Sequence, residues 1–177
     1  MARAEAASVN RKSDIVSAAI EIFAEIGYYR ATTAQVAERA KISQPYIFRF
    51  FATKEALLLA ALEVSWTRVV EAFRRAVDLA SPDQLERRLI EAYVEILAAH
   101  EKEILLQMQA QTIQEAPIRQ AMQDGFREVR GMVLEAFRAA NMENAEERTL
   151  LFLARGMLCN IATSLQLPEL MEGGGRK

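Results

Sequence analysis

Residues 32–54 read TTAQVAERAKISQPYIFRFFATK, a pattern that predicts two short helices joined by a tight turn and followed by a longer helix. Thr32 can cap the first helix, and Gln35 three residues later completes a capping box. Ser43 can cap the second helix, and Pro45 stands in its first turn, where the amides have no partner within the helix. This arrangement predicts a helix-turn-helix that binds double-stranded DNA.

The second helix of this pattern has one packing side and one free side. At about 100° per residue, Ile47 and Phe51 point to the packing side. The free side carries residue types that suit base readout: Gln for adenine, Arg for guanine, and Tyr for a phosphate or a thymine methyl. We therefore expect DNA contacts from Thr32, Thr33, Ser43, Gln44, Pro45, Tyr46, Arg49, Phe50 and Lys54.

Lys54 follows directly after the second helix and begins the next one. A cation at a helix N-terminus opposes the helix dipole by a few tenths of a kcal/mol, up to about 1. A phosphate bound there would reverse that sign. We therefore expect Lys54 to contact the DNA backbone, the alternative being a solvated surface lysine without a role.

Residues 11–62 resemble the DNA-binding domain of the TetR family of bacterial transcriptional repressors. The resemblance consists of a helix, Gly-Tyr, a Thr pair, an Ala-rich helix, Ser, an aromatic cluster ending in Phe, and Lys-Glu-x-Leu-Leu. The matching residues are Ile15, Ala18, Ala19, Phe23, Gly27, Tyr28, Thr32, Thr33, Val36, Ala37, Ser43, Phe48, Phe51, Lys54, Glu55, Leu57 and Leu58.

Two positions depart from that family pattern. The family usually has Gly where Pro45 stands and Tyr where Phe48 stands, and the hydroxyl of that Tyr commonly bonds a phosphate. Phe48 has no hydroxyl, so we expect it only to pack or to make an apolar contact. Tyr46 or Thr33 is then expected to take more of the grip on the DNA backbone.

The net charge of −2 is divided unevenly along the chain. Residues 1–54 hold eight Lys and Arg against five Asp and Glu, a net charge of +3, and the remainder holds 14 against 19, a net charge of −5. The positive end is expected to face phosphate, while the acidic body resists lying flat on DNA. The charge pattern therefore favours an end-on mode of binding.

The single cysteine favours a cytoplasmic location, and the family resemblance implies a bacterial protein that is associated with the nucleoid when bound to an operator. With 177 residues, 51% of them hydrophobic, the chain can build a sizeable core, and no apolar run approaches membrane length. The one cysteine, Cys159, excludes an internal disulfide framework, and the one histidine, His100, lacks neighbours at metal-ligand spacing. We expect no metal or cofactor. We also expect no enzyme, because the sequence has neither a Gly-rich phosphate loop nor a nucleophile elbow.

The whole chain is expected to be all-α, with about eight or nine helices, because apolar residues recur at helical spacing and no segment alternates with period two. Gly27 is expected to end the first helix in a left-handed conformation, and breakers fall at Ser81-Pro82, Ala116-Pro117 and residues 141–144. The predicted division is a disordered N-terminal arm at 1–10, a helix-turn-helix domain at 11–56, a helical ligand-binding and dimerisation domain at 57–170, and a disordered tail at 171–177.

The last helix is apolar on more than one face, so it must be covered on both sides. A second subunit is the expected cover, and pairing the last two helices with their symmetry mates would form a four-helix interface. We expect this interface to contain Val133, Phe137, Leu150, Ala154, Met157, Leu158, Ile161 and Leu165. Arg155 and Asn160 interrupt this helix, and they either orient a ligand or bridge the dimer, of which we favour the second.

Bulky aromatic and methionine side chains cluster in the C-terminal part, where they either fill a helical core or line an apolar cavity. The family resemblance implies a cavity for a small apolar or amphipathic inducer. The expected ligand-binding residues are Trp66, Val70, Phe73, Tyr93, Leu97, Met108, Phe126, Val129 and Met132.

Together these patterns and the family resemblance imply a homodimeric, ligand-responsive repressor that binds a palindromic operator and is released by its inducer. The two reader helices of such a dimer lie about one DNA turn apart, roughly 34 to 36 Å. The alternative is a DNA-binding protein whose helical domain docks a protein partner instead of a small ligand.

Overall fold

The computed structural model describes residues 2–171, with side chains from Asn10 onward. Within these residues the chain forms eight α-helices and one short 3-10 helix, and no strand. The helices are α1 (Ala2–Ile26), α2 (Thr33–Arg39), α3 (Gln44–Ile47), α4 (Lys54–Leu79), α5 (Leu85–Ala99), α6 (Glu101–Ala110), α7 (Ala116–Ala139) and α8 (Ala145–Leu165), followed by the 3-10 helix Pro168–Met171. The predicted all-α class is confirmed.

The N-terminal end of α1 differs from the expectation. The predicted loose arm is helical from Ala2 onward, because residues 2–7, ARAEAA, are almost all strong helix formers. At its other end α1 stops at Gly27, whose φ of +80° is the left-handed conformation that the sequence predicted. Of the predicted tail, Met171 ends the 3-10 helix, while Met1 and residues 172–177 lie outside the described residues.

The chain divides into two compact units. The first unit contains the residues up to Ser65 together with Leu106–Met122, and the second contains Trp66–Leu105 together with the residues from Gln123 onward. This division differs from the predicted boundary at residues 56 and 57, because α4 continues without a break to Leu79. The segment Leu106–Met122 also belongs to the DNA-binding end, which no local sequence pattern indicated.

The core of the first unit is built from helical positions that repeat every three or four residues. Its fully or almost fully buried side chains are Ile15, Ala19, Phe23, Val36, Ile47, Phe51, Leu57, Leu58 and Leu62. Arg39 on α2 bonds Glu21 and Glu25 on α1, the latter at 2.9 Å between Nη2 and Oε2. These carboxylates raise the pKa of Arg39, so α1 and α2 are joined by an arginine that stays charged.

Aromatic rings dominate the core of the second unit. Phe152 on α8 lies with its ring centroid 5.5 Å from Phe73 and 6.5 Å from Phe137, both in edge-to-face geometry. Phe137 and Val133 are 0% exposed, so neither can touch a partner subunit, and their predicted place in a dimer interface is wrong. They pack inward because the apolar stripe of α7 faces Phe152 and its neighbours.

Candidate functional site

The first helix of the helix-turn-helix begins as the sequence predicted. The Gln35 amide donates to Thr32 Oγ1 at 3.3 Å, and the Thr32 amide donates to Gln35 Oε1 at 2.9 Å. This reciprocal capping box satisfies two amides that the helix itself leaves unpaired. Lys41, with a φ of 54°, then closes the helix and directs the chain into the turn.

The start of α3 is confirmed in position but not in every bond. Ser43 stands at the cap position with an extended backbone, but its side chain makes no capping hydrogen bond. Pro45 occupies the first turn, as expected. The helix proper ends at Ile47, and single turns carry the chain on to Phe51, whose amide donates to the Ile47 carbonyl at 3.0 Å. The reader helix is therefore shorter than predicted.

The outward surface of α3 and of the turn after it carries a packed group of aromatic and cationic side chains. Ile47 and Phe51 are buried, as predicted, while Pro45 and Arg49 are exposed. Tyr46 lies edge-to-face with Phe50, with 5.4 Å between ring centroids, and the guanidinium carbon of Arg49 lies 5.2 Å from the Tyr46 centroid. Such contacts restrict the rotamers of all three side chains.

Phe48 and Gln44 add to this surface in different ways. Phe48 is 49% exposed, so of the two roles expected for it, apolar contact with an outside partner fits better than core packing. Gln44 Nε2 donates to Thr33 Oγ1 at 2.9 Å, which joins the first turn of α3 to the first turn of α2. No sequence pattern indicated this bond.

Lys54 is engaged within the protein. Its ammonium donates to the carbonyl oxygens of Tyr28 at 2.8 Å and Ala31 at 3.0 Å, and it lies 4.5 Å from the centroid of the Tyr28 ring. The expected phosphate contact stays a prediction, but the geometry gives Lys54 a second role, that of fastening the α1–α2 loop to the start of α4. Backbone acceptors carry no sequence signature, so the pattern could not reveal this role.

Two further hydrogen bonds of the first unit involve the segment Leu106–Met122. Gln109 Nε2 donates to the Ala24 carbonyl oxygen at 2.8 Å, near the end of α1. Tyr29 donates its hydroxyl to Glu115 Oε2 at 2.8 Å, and this bond raises the pKa of Tyr29. The end of α6 and the start of α7 are thus bonded to the helix and loop that precede the reader helices, a feature that sequence reasoning missed.

The expected ligand-binding residues are divided between the two units. Met108 belongs to the first unit, and the other eight belong to the second. Four of them are buried (Trp66, Val70, Phe73, Val129) and four are half-buried (Tyr93, Leu97, Phe126, Met132).

Trp66 occupies an unusual position in the second unit. Its ring lies edge-to-face with Phe126 at 5.0 Å between centroids, and a Cβ placed on Gly125 would lie 2.2 Å from the indole. The close approach of α7 therefore requires glycine. Within the described residues the buried indole Nε1–H has no hydrogen-bond partner, an arrangement that costs about 1 to 3 kcal/mol.

Two polar clusters accompany these aromatic residues. Tyr93 donates its hydroxyl to Asn160 Oδ1 at 2.7 Å, and burial raises the pKa of Tyr93 to about 12. Asn160 is buried and bonded within its own chain, so it does not bridge a dimer, whereas Arg155 is exposed.

The second polar cluster joins α4 to the start of α6. Arg68 bonds the buried carboxylate of Glu103, and its Nη1 lies 3.0 Å from His100 Nδ1. Burial, with a smaller contribution from the Arg68 charge, lowers the pKa of His100. The sequence did not indicate this cluster, because its members are 32 or more residues apart from Arg68.

One face of α8 presents apolar side chains at helical spacing, and we refer to it as the α8 stripe. It consists of Leu150, Ala154, Leu158, Ile161 and Leu165, all exposed, with Leu150 at 66% and Leu165 at 64%. Met157 beside it is half-buried. Six of the eight predicted interface residues therefore have surface available to a partner.

Cys159 is half-buried, and burial raises the pKa of its thiol, which disfavours the reactive thiolate. Among residues 2–171, no three His, Cys, Asp or Glu side chains are grouped so that they could bind a metal ion. None of the helices in that range has both the length and the apolar character that a bilayer crossing requires.

A capped helix, a tight turn and a second short helix with an outward polar and aromatic face define a helix-turn-helix DNA-binding protein. Residues 15–61 match the family model described as bacterial regulatory proteins, tetR family. Residues 15–61 are therefore a DNA-binding domain of the TetR type.

Similar proteins agree with this assignment. The chain is 29% identical over 130 residues to the HTH-type transcriptional regulator HbdR of Aromatoleum sp. (strain CIB), covering 73% of this chain and 57% of that one. It thus spans little more than half the length of that relative. A TetR-like regulator from Rhodococcus sp. RHA1 has a similar fold, with a TM-score of 0.72 at 18% identity over 92% of this chain and 86% of that one. FadR from Bacillus subtilis, crystallised in complex with stearoyl-CoA, gives a TM-score of 0.69 at 15% identity, covering 91% and 98% of the two chains.

Proposed function

We propose that this regulator is a ligand-responsive repressor and not an enzyme. It binds a palindromic operator as a homodimer, and a small apolar or amphipathic inducer releases it. The observation that carries the proposal is the outward surface of α3 and of the turn after it, where Gln44 and Arg49 are exposed and the Arg49 guanidinium lies against the Tyr46 ring. A surface of this chemistry suits the edges of bases and the phosphates in a major groove.

The α8 stripe supports the homodimer. An isologous interface uses the same surface on both subunits, so each exposed leucine of the stripe contributes to the interface once from each subunit. Complete burial of a leucine side chain contributes about 1.5 to 3 kcal/mol, so the five positions supply enough apolar surface for association. A two-fold axis beside α8 then gives two reader helices and an inverted-repeat operator.

The orphaned indole N–H of Trp66 supports a ligand that is apolar but carries a hydrogen-bond acceptor. Such an acceptor would relieve the cost of the unpaired donor, while Phe73, Phe126 and Val129 suit an apolar body. The stearoyl-CoA held by the Bacillus subtilis FadR combines these two properties. We accordingly propose an amphipathic inducer with a carbonyl, thioester or carboxyl group.

Release requires that the inducer bind the form with low operator affinity better than the DNA-competent form. The hydrogen bonds of Gln109 with Ala24 and of Glu115 with Tyr29 suit the transmission of such a preference. They tie the segment Leu106–Met122 to the end of α1 and to the loop before α2, and α7 continues from this segment into the second unit. A shift along α7 would therefore move the reader helices.

Operator binding tests the proposal directly. Duplexes are selected from a random library with the wild-type chain, and the dissociation constant is then measured against salt concentration for Arg49→Ala and Tyr46→Ala. The matched control is Arg75→Ala, which removes an exposed arginine of α4 in the second unit. We expect each α3 variant to lose roughly 10- to 100-fold in operator affinity and the control to lose little. If both α3 variants retain the parental affinity and salt slope, α3 is not the reader.

A second candidate function also uses the α8 stripe, as a docking surface for a different protein. Here the helical domain would hold no small ligand. Thermal shift against a panel of amphipathic compounds distinguishes the two functions, because a ligand at 100 times its dissociation constant stabilises the fold by about 2.7 kcal/mol. A monomeric chain that no compound stabilises would favour the docking function.

A further inference from the structure

The hydrogen bond between Gln44 and Thr33 joins the two helices of the DNA-binding motif at their first turns. Gln44 Nε2 donates to Thr33 Oγ1 at 2.9 Å, with Gln44 exposed and Thr33 half-buried. Thr33 is itself held, because the capping box of Thr32 and Gln35 fixes the backbone on which it stands. The backbone that carries the acceptor is therefore held, and the bond to the Thr33 hydroxyl orients the flexible glutamine side chain.

This bond determines which groups of the Gln44 carboxamide remain for DNA. A primary amide has two N–H donors and one carbonyl acceptor, so the bond to Thr33 leaves one donor and the acceptor. Adenine presents a complementary pair in the major groove, the N7 acceptor and the N6 amino donor. Guanine presents two acceptors, N7 and O6. Bonding both would need both N–H groups of the amide, and with only one N–H group free the amide oxygen would face a guanine acceptor.

We propose that Thr33 is a positioning residue that orients the carboxamide of Gln44, so that the operator half-site has adenine at the contacted base pair and guanine is rejected there. This inference rests on the proposed operator binding. An untethered glutamine can rotate its amide and adapt to either purine, whereas the tethered one cannot. The hydroxyl hydrogen of Thr33 remains available for a phosphate, and donation to a phosphate would make its oxygen a better acceptor for Gln44.

Pro45 adds to the orientation from the other side of Gln44. The ring of Pro45 locks its own φ at a value that suits the first turn of α3, and Ser43 precedes Gln44 in an extended conformation. Gln44 is thus fixed at its backbone by its neighbours and at its amide by Thr33. Purine selectivity is the property that this double restraint changes, since general affinity comes from the phosphate contacts.

The test uses the full chain and the operator selected by the wild type. Gln44→Ala first identifies the contacted base pair, as the one position where base preference is lost. Dissociation constants are then measured with adenine, guanine and 7-deaza-adenine at that position for wild type, Thr33→Val, Thr33→Ser and Thr67→Val. Thr67 is an exposed threonine of α4 and provides the matched control.

We expect Thr33→Val to reduce the adenine-over-guanine ratio by about five- to ten-fold, and Thr33→Ser and Thr67→Val to keep it. The loss of a phosphate contact alone would weaken all three duplexes equally and leave the ratio unchanged. We also expect 7-deaza-adenine, which lacks N7, to weaken wild-type binding about ten-fold and Gln44→Ala binding hardly at all.

The inference is overturned if Thr33→Val keeps the adenine-over-guanine ratio of the wild type. It is also overturned if the base pair that Gln44→Ala identifies prefers a base other than adenine. Both results leave the proposed repressor function intact, since operator binding is still observed. If the wild-type chain enriches no duplex at all, the proposed function fails and the inference fails with it. A thermal midpoint for Thr33→Val close to that of the wild type excludes a folding defect as the cause of a changed ratio.

Discussion

The Tyr93 hydroxyl donates a 2.7 Å hydrogen bond to Asn160 Oδ1, which joins α5 to α8 across 67 residues of sequence. Because Asn160 is buried, removal of the donor leaves its carbonyl oxygen without this partner. Tyr93→Phe is expected to lower the free energy of unfolding by about 1 to 3 kcal/mol. Urea denaturation measures the loss, and the double variant Tyr93→Phe, Asn160→Leu should recover part of it. If the double variant loses as much stability as the single variants Tyr93→Phe and Asn160→Leu lose in sum, the hydrogen bond contributes nothing.

His100 is expected to make stability depend on pH below about 6.5, the ordinary pKa of histidine. Burial and Arg68 lower its pKa in the folded chain, so between the folded and unfolded values the unfolded chain binds the proton more readily. The stability that neutral His100 contributes is complete above about 6.5 and is lost as the pH falls. His100→Asn should flatten the difference in unfolding free energy between pH 7 and pH 5. A variant with the wild-type pH dependence would contradict this assignment.

Lys54→Met separates the two roles available to the Lys54 ammonium. If it mainly holds the carbonyls of Tyr28 and Ala31, the variant should unfold more easily and bind operator more weakly, with the salt slope of the wild type. If it mainly contacts a phosphate, the slope of log K against log salt concentration should become shallower by about 0.9. We expect the first result, because the ammonium is already bonded within the protein. Fluorescence anisotropy at several salt concentrations measures the slope.

The contact of Gln109 with the Ala24 carbonyl is expected to carry part of the response to an inducer. Gln109→Ala should retain operator binding but shrink the loss of affinity that the inducer causes, by roughly three-fold or more. Gln111→Ala, an exposed glutamine two residues away, is the matched control. The measurement is the operator dissociation constant with and without a compound that stabilises the chain in thermal shift. If the compound weakens operator binding equally in both variants, this contact takes no part in the response.

The α8 stripe is expected to form the subunit interface. Leu150→Glu and Leu165→Glu place a charge where each subunit would bury a leucine, and should raise the dimer dissociation constant by roughly 100-fold or more. Leu79→Glu changes an 85% exposed leucine of α4 and should leave association unchanged. Sedimentation velocity over a range of concentrations reports the mass. Variants that remain dimeric would place the interface elsewhere.

Sequence alone predicted the features that depend on neighbouring residues. The capping box of Thr32 and Gln35, the left-handed Gly27 and the inward side of α3 at Ile47 all follow from spacing within one or two turns. The breakers at Ser81-Pro82, Ala116-Pro117 and residues 141–144 lie at or near helix ends for the same reason, whereas the start of α1 was placed too late. This local information sufficed for the fold class and for the family resemblance.

Features that depend on distant partners were missed. Val133 and Phe137 have the pattern of an apolar helix face, but the pattern does not say whether a helix of the same chain or of another covers that face. The ammonium of Lys54 finds backbone carbonyls, and Gln44 finds a hydroxyl on another helix. Each depends on how helices cross, which residue spacing along one helix cannot reveal.

The return of Leu106–Met122 to the unit that holds the reader helices affects how the chain is made. During synthesis the first 65 residues leave the ribosome long before Gln109 and Glu115 do, so the partners of Ala24 and Tyr29 are missing at first. A gene fragment that ends within α4 would lack them permanently. The DNA-reading end of this protein is therefore completed only after Glu115 has emerged.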